Sequence, residues 1–218
     1  MSEQPGTITE RPYLPAMGRR WLLPLYDPLT RLAGISRVHG ELLDRANLQP
    51  GHRVLEIGCG TGNLLIAAAR RQPRAEVLGI DPDRGSLRRA RRKAARAGLP
   101  VRVERAYADE LPLPDDSVDR VLSSLMLHHL DGPAKAQAVG EVRRVLRPGG
   151  ELHLVDLAAG HDEHGVRAHL TRRSRRLAGN RADQIVGLLR EAGLADVAET
   201  GHGSTRSTGY VFYRATAA

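Results

Sequence analysis

The 218-residue chain carries a net charge of +8 and a pI of about 10.5, with 41% hydrophobic and 27% charged residues. This length and balance suit one soluble domain with a full core. No apolar run approaches the roughly 20 residues of a membrane span. The start, Met1-Ser2-Glu3-Gln4-Pro5, has neither a basic nor an apolar signal region, so a cytoplasmic address is expected. A lone cysteine, Cys59, excludes an internal disulfide framework and a multi-thiolate metal site.

Residues 1–18, with Pro5, Pro12, Pro15 and Gly18, read as an extended arm, and 19–34 as helical turns broken by Pro24 and Pro28. A helix is expected at about 35–47, ended by Gln49-Pro50-Gly51. Strands and helices then alternate: strand Val54–Ile57, helix 62–71, strand Ala75–Ile80, helix 83–97 stopping at Gly98, strand Val101–Arg105, strand Val118–Ser123, helix 133–146 ending at Pro148-Gly149-Gly150, and strand Glu151–Leu157. A polar stretch, 158–180, reads as a lid-like insertion before a helix at 182–192. Two closing strands follow, Val197–Thr200 and about 207–214, with the hairpin turn expected across Gly201–Gly203. The pattern predicts a doubly wound, Rossmann-like α/β sheet, mostly parallel with an antiparallel C-terminal hairpin strand and helices on both faces. Residues 1–48 are expected to form an arm and cap, and 49–218 the main domain.

Nearly all basic residues are arginines; Lys93 and Lys135 are the lysines. They cluster at Arg88, Arg89, Arg91, Arg92, Lys93 and Arg96, and again at Arg172, Arg173, Arg175 and Arg176. Spread over most helical faces, they read first as solvated surface; nucleic acid and anionic membrane are the partners the charge would otherwise suit. His161-Asp162-Glu163-His164 with His169 lacks the H-E-x-x-H spacing, and no metal site is expected.

The strongest signal is Val54-Leu55-Glu56-Ile57-Gly58-Cys59-Gly60-Thr61-Gly62, a strand running through three glycines into a helix. Such a turn permits positive φ and brings backbone close to a ligand. The dinucleotide fingerprint would place its third glycine at Asn63, and no lysine stands in P-loop register. Further landmarks are Gly79-Ile80-Asp81-Pro82-Asp83, Ala108-Asp109-Glu110-Leu111-Pro112, the strand Asp119–Ser124, and Leu146-Arg147-Pro148-Gly149-Gly150. Together, over residues 50–156, these resemble class I S-adenosylmethionine-dependent methyltransferases. Leu127-His128-His129-Leu130 and Tyr26-Asp27 are most similar to the ubiquinone/menaquinone-type branch.

The resemblance implies S-adenosylmethionine as cofactor, S-adenosylhomocysteine as product, and a small-molecule methyl acceptor of quinone-like, phenolic or natural-product type. It implies that Gly58, Cys59, Gly60 and Gly62 face the methionine portion and that Glu56 helps bind its ammonium. Asp81 would accept from the ribose hydroxyls, Asp109 from the adenine amino group, with Ala108, Pro82, Ser124 and Leu125 as further contacts. For Asp81 the alternative is a helix cap, a task that suits Asp83 better; Cys59 reads as a buried filler, not a nucleophile. His128 and His129 are candidate general bases, His129 ranked first, against a purely structural role. Trp21 and Tyr26 are expected to line the acceptor pocket, while Tyr210 and Phe212 read as sheet packing. The competing functions are an RNA methyltransferase, a phospholipid-headgroup methyltransferase, and a cofactor-binding fold without catalysis.

Overall fold

Consecutive apolar residues in the strands point to opposite faces of the sheet, and helices cover both faces. The computed structural model describes residues 34–157, 180–205 and 209–218. The elements are α1 (Ile35–Ala46), β1 (Arg53–Ile57), α2 (Asn63–Arg71), β2 (Glu76–Ile80), α3 (Arg84–Arg96), β3 (Arg102–Glu104), β4 (Val118–Ser124), a 3₁₀ turn (Leu127–His129), α4 (Gly132–Val145), β5 (Leu146–Leu157), α5 (Ala182–Glu191), β6 (Leu194–Ser204) and β7 (Gly209–Ala217). Val54, Val77, Leu122, Val155 and Phe212 join Leu42 of α1, Leu65 of α2 and Leu87 of α3 in one core layer. Their chain neighbours Leu55, Val121, Leu154, Val211 and Tyr213 join Val142 of α4 and Ile185 and Leu189 of α5 in the other. Each fully buried side chain of this kind contributes about 1.5–3 kcal/mol.

The seven strands run in the order β3-β2-β1-β4-β5-β7-β6. β1 pairs in parallel with β2 on one side and β4 on the other, so the winding direction reverses between β1 and β4. In open α/β sheets a ligand crevice forms at this reversal, beyond the carboxyl ends of the strands. β7 runs antiparallel to both β5 and β6, as the hairpin pattern predicts.

Two details differ from the sequence reading. Gly201 and Gly203 do not form the hairpin turn; they lie within β6, opposite Phe212 and Tyr210. A Cβ on Gly203 would sit 2.5 Å from the Tyr210 hydroxyl oxygen, so its glycine makes room for that ring. β5 begins at Leu146, not Glu151, because Leu146 pairs with Val118 before an irregularity at Pro148-Gly149-Gly150 restores register at Arg120 and Glu151. The arm of residues 1–33, Trp21, Tyr26, the 158–179 part of the insertion, its histidines and the Arg172–Arg176 cluster lie outside the described residues. α1 packs its buried Val38, Leu42, Leu43 and Ala46 in the same layer as α2 and α3.

Among the described residues no helix is long and apolar enough to cross a membrane, and no cluster of His, Cys, Asp or Glu could hold a metal ion. α3 carries no acidic residue, yet it buries a clean stripe of Ser86, Leu87, Ala90 and Ala94. Its cations therefore occupy the remaining faces, where Arg91 reaches the Val103 carbonyl at 2.7 Å. The N-cap is Asp83, whose carboxylate accepts from Gly85 N, Ser86 N and the Ser86 hydroxyl at 3.3, 2.9 and 2.8 Å. Asp83→Ala is expected to lower stability by about 1–2 kcal/mol in urea unfolding, and a loss under 0.3 kcal/mol would show the cap to be dispensable.

Candidate functional site

The loop after β1 begins where the strand runs out of apolar residues. Gly58, Gly60 and Gly62 have φ of 69°, 50° and 78°, the left-handed region that a Cβ disfavours. At Gly62 a Cβ would also meet the Ala90 Cβ at 2.9 Å, so glycine allows α2 and α3 to approach. Around a Cβ on Gly60 there is nothing within 4 Å, which leaves that stretch of backbone bare to a ligand. Cys59 N donates to Ile80 O at 2.9 Å and Gly62 N to Cys59 O at 2.8 Å, pinning the loop to the end of β2. The Cys59 side chain is 5% exposed and packs against Gly79. Burial, with the charges of Glu56 and Asp81, pushes its thiol well up, so it stays a protonated filler.

Two carboxylates underlie this loop. Asp81, at the tip of β2, accepts from Gly60 N at 2.9 Å and Asp83 N at 2.8 Å. Burial nonetheless pushes its carboxyl up to about 6. Each oxygen is held by one backbone amide, and an ionised carboxylate has about four lone-pair positions, so further acceptor capacity remains. Glu56, 3% exposed, takes the amide of Leu65 in the first turn of α2, a turn whose N-cap Gly62 has no side chain to offer. Its Oε2 has no hydrogen-bond partner. Burial, then the charge of Asp81, holds the carboxyl well above the usual carboxylate range. A buried, half-satisfied acid beside open glycine backbone fits a cationic group such as an ammonium.

A second group of residues forms beyond β4. Leu125 has φ 54° and is held there by its amide donating to Val155 O at 2.8 Å. Positive φ at a leucine is uncommon and marks a constrained turn. The next residue, Met126, packs over Gly58 in the space a Cβ there would need, so this turn lies against the glycine loop. His128 Nδ1 is 2.6 Å from Asp156 Oδ1, and His128 N donates to Asp156 Oδ2 at 3.1 Å. Asp156, at the end of β5, is 1% exposed. A carboxylate accepts, so Nδ1 carries the hydrogen and Nε2 is the nitrogen left to take a proton. The His129 ring packs on His128 with centroids 4.1 Å apart. Ser124 Oγ is 3.2 Å from His39 Nε2 of α1, and His39 is pushed down to about 4 by burial and by Lys93, so it is neutral near pH 7.

The structure thus brings Glu56, Cys59, Gly60 and Asp81 together, and packs Met126, which lies between Leu125 and His128 in the chain, against Gly58. Pro82 and Ala108 are half-buried beside these strand ends, with the Pro82 carbonyl accepting from Arg105 at 3.2 Å. Asp109 lines a cleft of about 470 Å³ together with Gln137, Gly140 and Glu141 of α4. Asp156 and His39 are functional candidates that the sequence reading did not single out. For Asp156 the available signal was a carboxylate directly after the apolar pair Leu154-Val155, near the end of an expected buried strand.

A family model described as "Methyltransferase domain" matches residues 54–150. The chain is 37% identical over 138 residues to the demethylmenaquinone methyltransferase of Thermus thermophilus, covering 62% of each protein. It is 36% identical over 167 residues to the 27-O-demethylrifamycin SV methyltransferase of Amycolatopsis mediterranei, covering 73% of this chain and 60% of that protein. Across several curated relatives it spans from 46% to 62% of their length. The fold is that of the YcgJ protein from Bacillus subtilis, with a TM-score of 0.68 and 19% identity, over 82% of this chain and 97% of that one. The match to the methyltransferase domain model spans residues 54–150, from β1 into β5, and the fold shared with YcgJ extends over most of the chain. These relatives do not single out the quinone branch, since a rifamycin enzyme matches as well as a menaquinone enzyme.

The Glu56 carboxyl is raised on folding, so in the ligand-free protein it opposes folding increasingly as pH rises above the unfolded value of about 4.5. Glu56→Gln should therefore match wild type in thermal stability near pH 4 and exceed it at pH 7.5. Equal melting temperatures at both pH values would show that the buried charge costs nothing.

Proposed function

We propose that the chain transfers the methyl group of S-adenosylmethionine to a small acceptor with an ionisable hydroxyl, of phenolic, quinol-like or natural-product type. The observation that carries this reading is the His128–Asp156 pair, a base with a fixed tautomer on the turn that packs against the glycine loop. Within the reading, Glu56 meets the ammonium group, the glycine loop Gly58–Gly62, bare at Gly60, receives the methionine portion, and Asp81 takes the ribose hydroxyls. Pro82, Ala108, Asp109, Ser124 and Leu125 complete the cofactor side. When bound, S-adenosylmethionine supplies a methyl group already activated on a sulfonium.

His128 Nε2 would take the hydroxyl proton of the acceptor, and the buried Asp156 carboxylate would stabilise the resulting imidazolium, while bound S-adenosylmethionine would supply the methyl group. This arrangement parallels the role of a buried aspartate behind a catalytic histidine in other enzymes. Ranking His128 above His129 reverses the sequence order, because Asp156 holds both the ring and the backbone amide of His128. The name of the Amycolatopsis relative specifies an oxygen acceptor and that of the Thermus relative a quinone precursor; both acceptor types agree with a base at this point. Trp21 and Tyr26 are proposed to line the acceptor pocket, within an arm and cap of residues 1–48 over a catalytic domain of 49–218. On this reading, deleting residues 1–30 costs turnover much more than cofactor affinity.

Calorimetric titration with S-adenosylhomocysteine is expected to give micromolar binding for wild type, none with NAD, and a loss of at least tenfold for Asp81→Ala. Binding should weaken as pH falls through about 6, where Asp81 becomes protonated. Transfer of labelled methyl to phenol and hydroquinone acceptors should fall at least about 100-fold in His128→Gln, with S-adenosylhomocysteine affinity unchanged within twofold. Full transfer by His128→Gln would remove the base from the mechanism, and binding indifferent to Asp81 would remove the cofactor assignment. RNA that copurifies and is released steeply by salt would favour a nucleic-acid acceptor instead.

A further inference from the structure

Lys135 is a buried cation in a chain whose positive charges are otherwise arginines, Lys93 excepted. It lies in α4, 5% exposed, and its Nζ donates to Asn180 Oδ1 at 3.0 Å. Asn180, 1% exposed, donates from Nδ2 to Leu157 O at 2.9 Å. Leu157 N donates to Asp156 Oδ1 at 2.6 Å, and that same oxygen holds His128 Nδ1. Hydrogen bonds therefore link an ammonium to an amide and the carbonyl of Leu157, and the N–H of the same residue to a carboxylate and an imidazole. They cross from α4, over the end of β5, to the turn after β4.

Desolvating an ammonium is costly unless a negative charge and good hydrogen bonds compensate it. Burial pushes the Lys135 ammonium down while the Asp156 carboxylate pushes it up, so the two groups sense each other's charge. The other groups around the pair do not supply this cation. His129 packs on the His128 ring from the same turn. Tyr213 of β7 feels Asp156, Glu199 and Asp183, and burial pushes its hydroxyl up, so it stays neutral. A buried carboxylate alone beside an imidazole favours the imidazolium. An ammonium near the same carboxylate cancels part of that field.

We propose that Lys135 is a positioning residue which, through Asn180 and the Leu157 backbone, sets the Asp156 carboxylate behind His128 and offsets part of its charge. This rests on the reading of His128 as the general base, but the titration that tests it needs neither acceptor nor cofactor. Full-length protein labelled at histidine Cε1 with carbon-13 is titrated from pH 5 to 9 by NMR, with His128→Gln assigning the His128 signal. Lys135→Met is expected to raise the His128 midpoint by about one pH unit, a tenfold gain in proton affinity. Lys135→Arg should hold it within a few tenths of wild type. If Lys135→Met does not fold, Asn180→Asp serves in its place, since a carboxylate against Nζ takes up its charge and should also raise the midpoint. A folded variant of either kind with an unmoved midpoint overturns the proposal and leaves the base assignment untouched. A moved midpoint in a protein whose His128→Gln form still transfers methyl groups at the wild-type rate keeps the coupling and overturns the base.

Discussion

Glu56 and Asp81 lie under the same glycine loop, and burial raises the carboxyls of both. Burial disfavours the charge on each, the Asp81 charge adds to the cost at Glu56, and the loop answers with backbone amides: Gly60 and Asp83 for Asp81, Leu65 for Glu56. Those amides come from the end of β2, the glycine turn and the first turn of α2, so the carboxylates set the mutual placement of the three. Oε2 of Glu56 remains unmatched. A site that keeps an unmatched buried acid trades stability for ligand recognition, as functional sites commonly do.

The opposite wall of the crevice follows from β5 lying beside β4. Their parallel register sets Val155 against Ser124, which carries Asp156 to the turn that follows β4. Leu125, held at positive φ, turns the chain sharply there, and Met126 closes it over Gly58. The two loop carboxylates and the histidine pair are thus mounted on the ends of β1, β2, β4 and β5. Rigid strand ends hold reacting groups more closely than free loops do. α1 adds a tie of its own, because neutral His39 bonds Ser124 while Arg45 lies 4.1 Å from the Phe212 ring centre.

Much of the fold was legible because its signals are local. The apolar runs at Val54–Ile57 and Val118–Ser123, the glycines that follow the first, and the Asp83 cap all act within a few residues of themselves. The errors arose where pairing decided the outcome. Gly201 and Gly203 look like a turn in isolation, yet they lie in a strand whose partner, β7, fills the space with Tyr210. Leu146 looks like the end of a helix, yet Val118 recruits it into the sheet.

For the site the same division holds. Sequence alone determined the glycine loop, Glu56 and Asp81, since strand, turn and helix are contiguous and glycine geometry is a property of the backbone itself. Only tertiary structure decided which histidine has a carboxylate behind it, and that Lys135 and Asn180 stand behind that carboxylate. His128 and Asp156 are 28 positions apart and Lys135 and Asn180 are 45 apart. No local periodicity encodes such contacts; they exist because β5 pairs with β4 and because α4 and the segment entering α5 pack across the end of that pair.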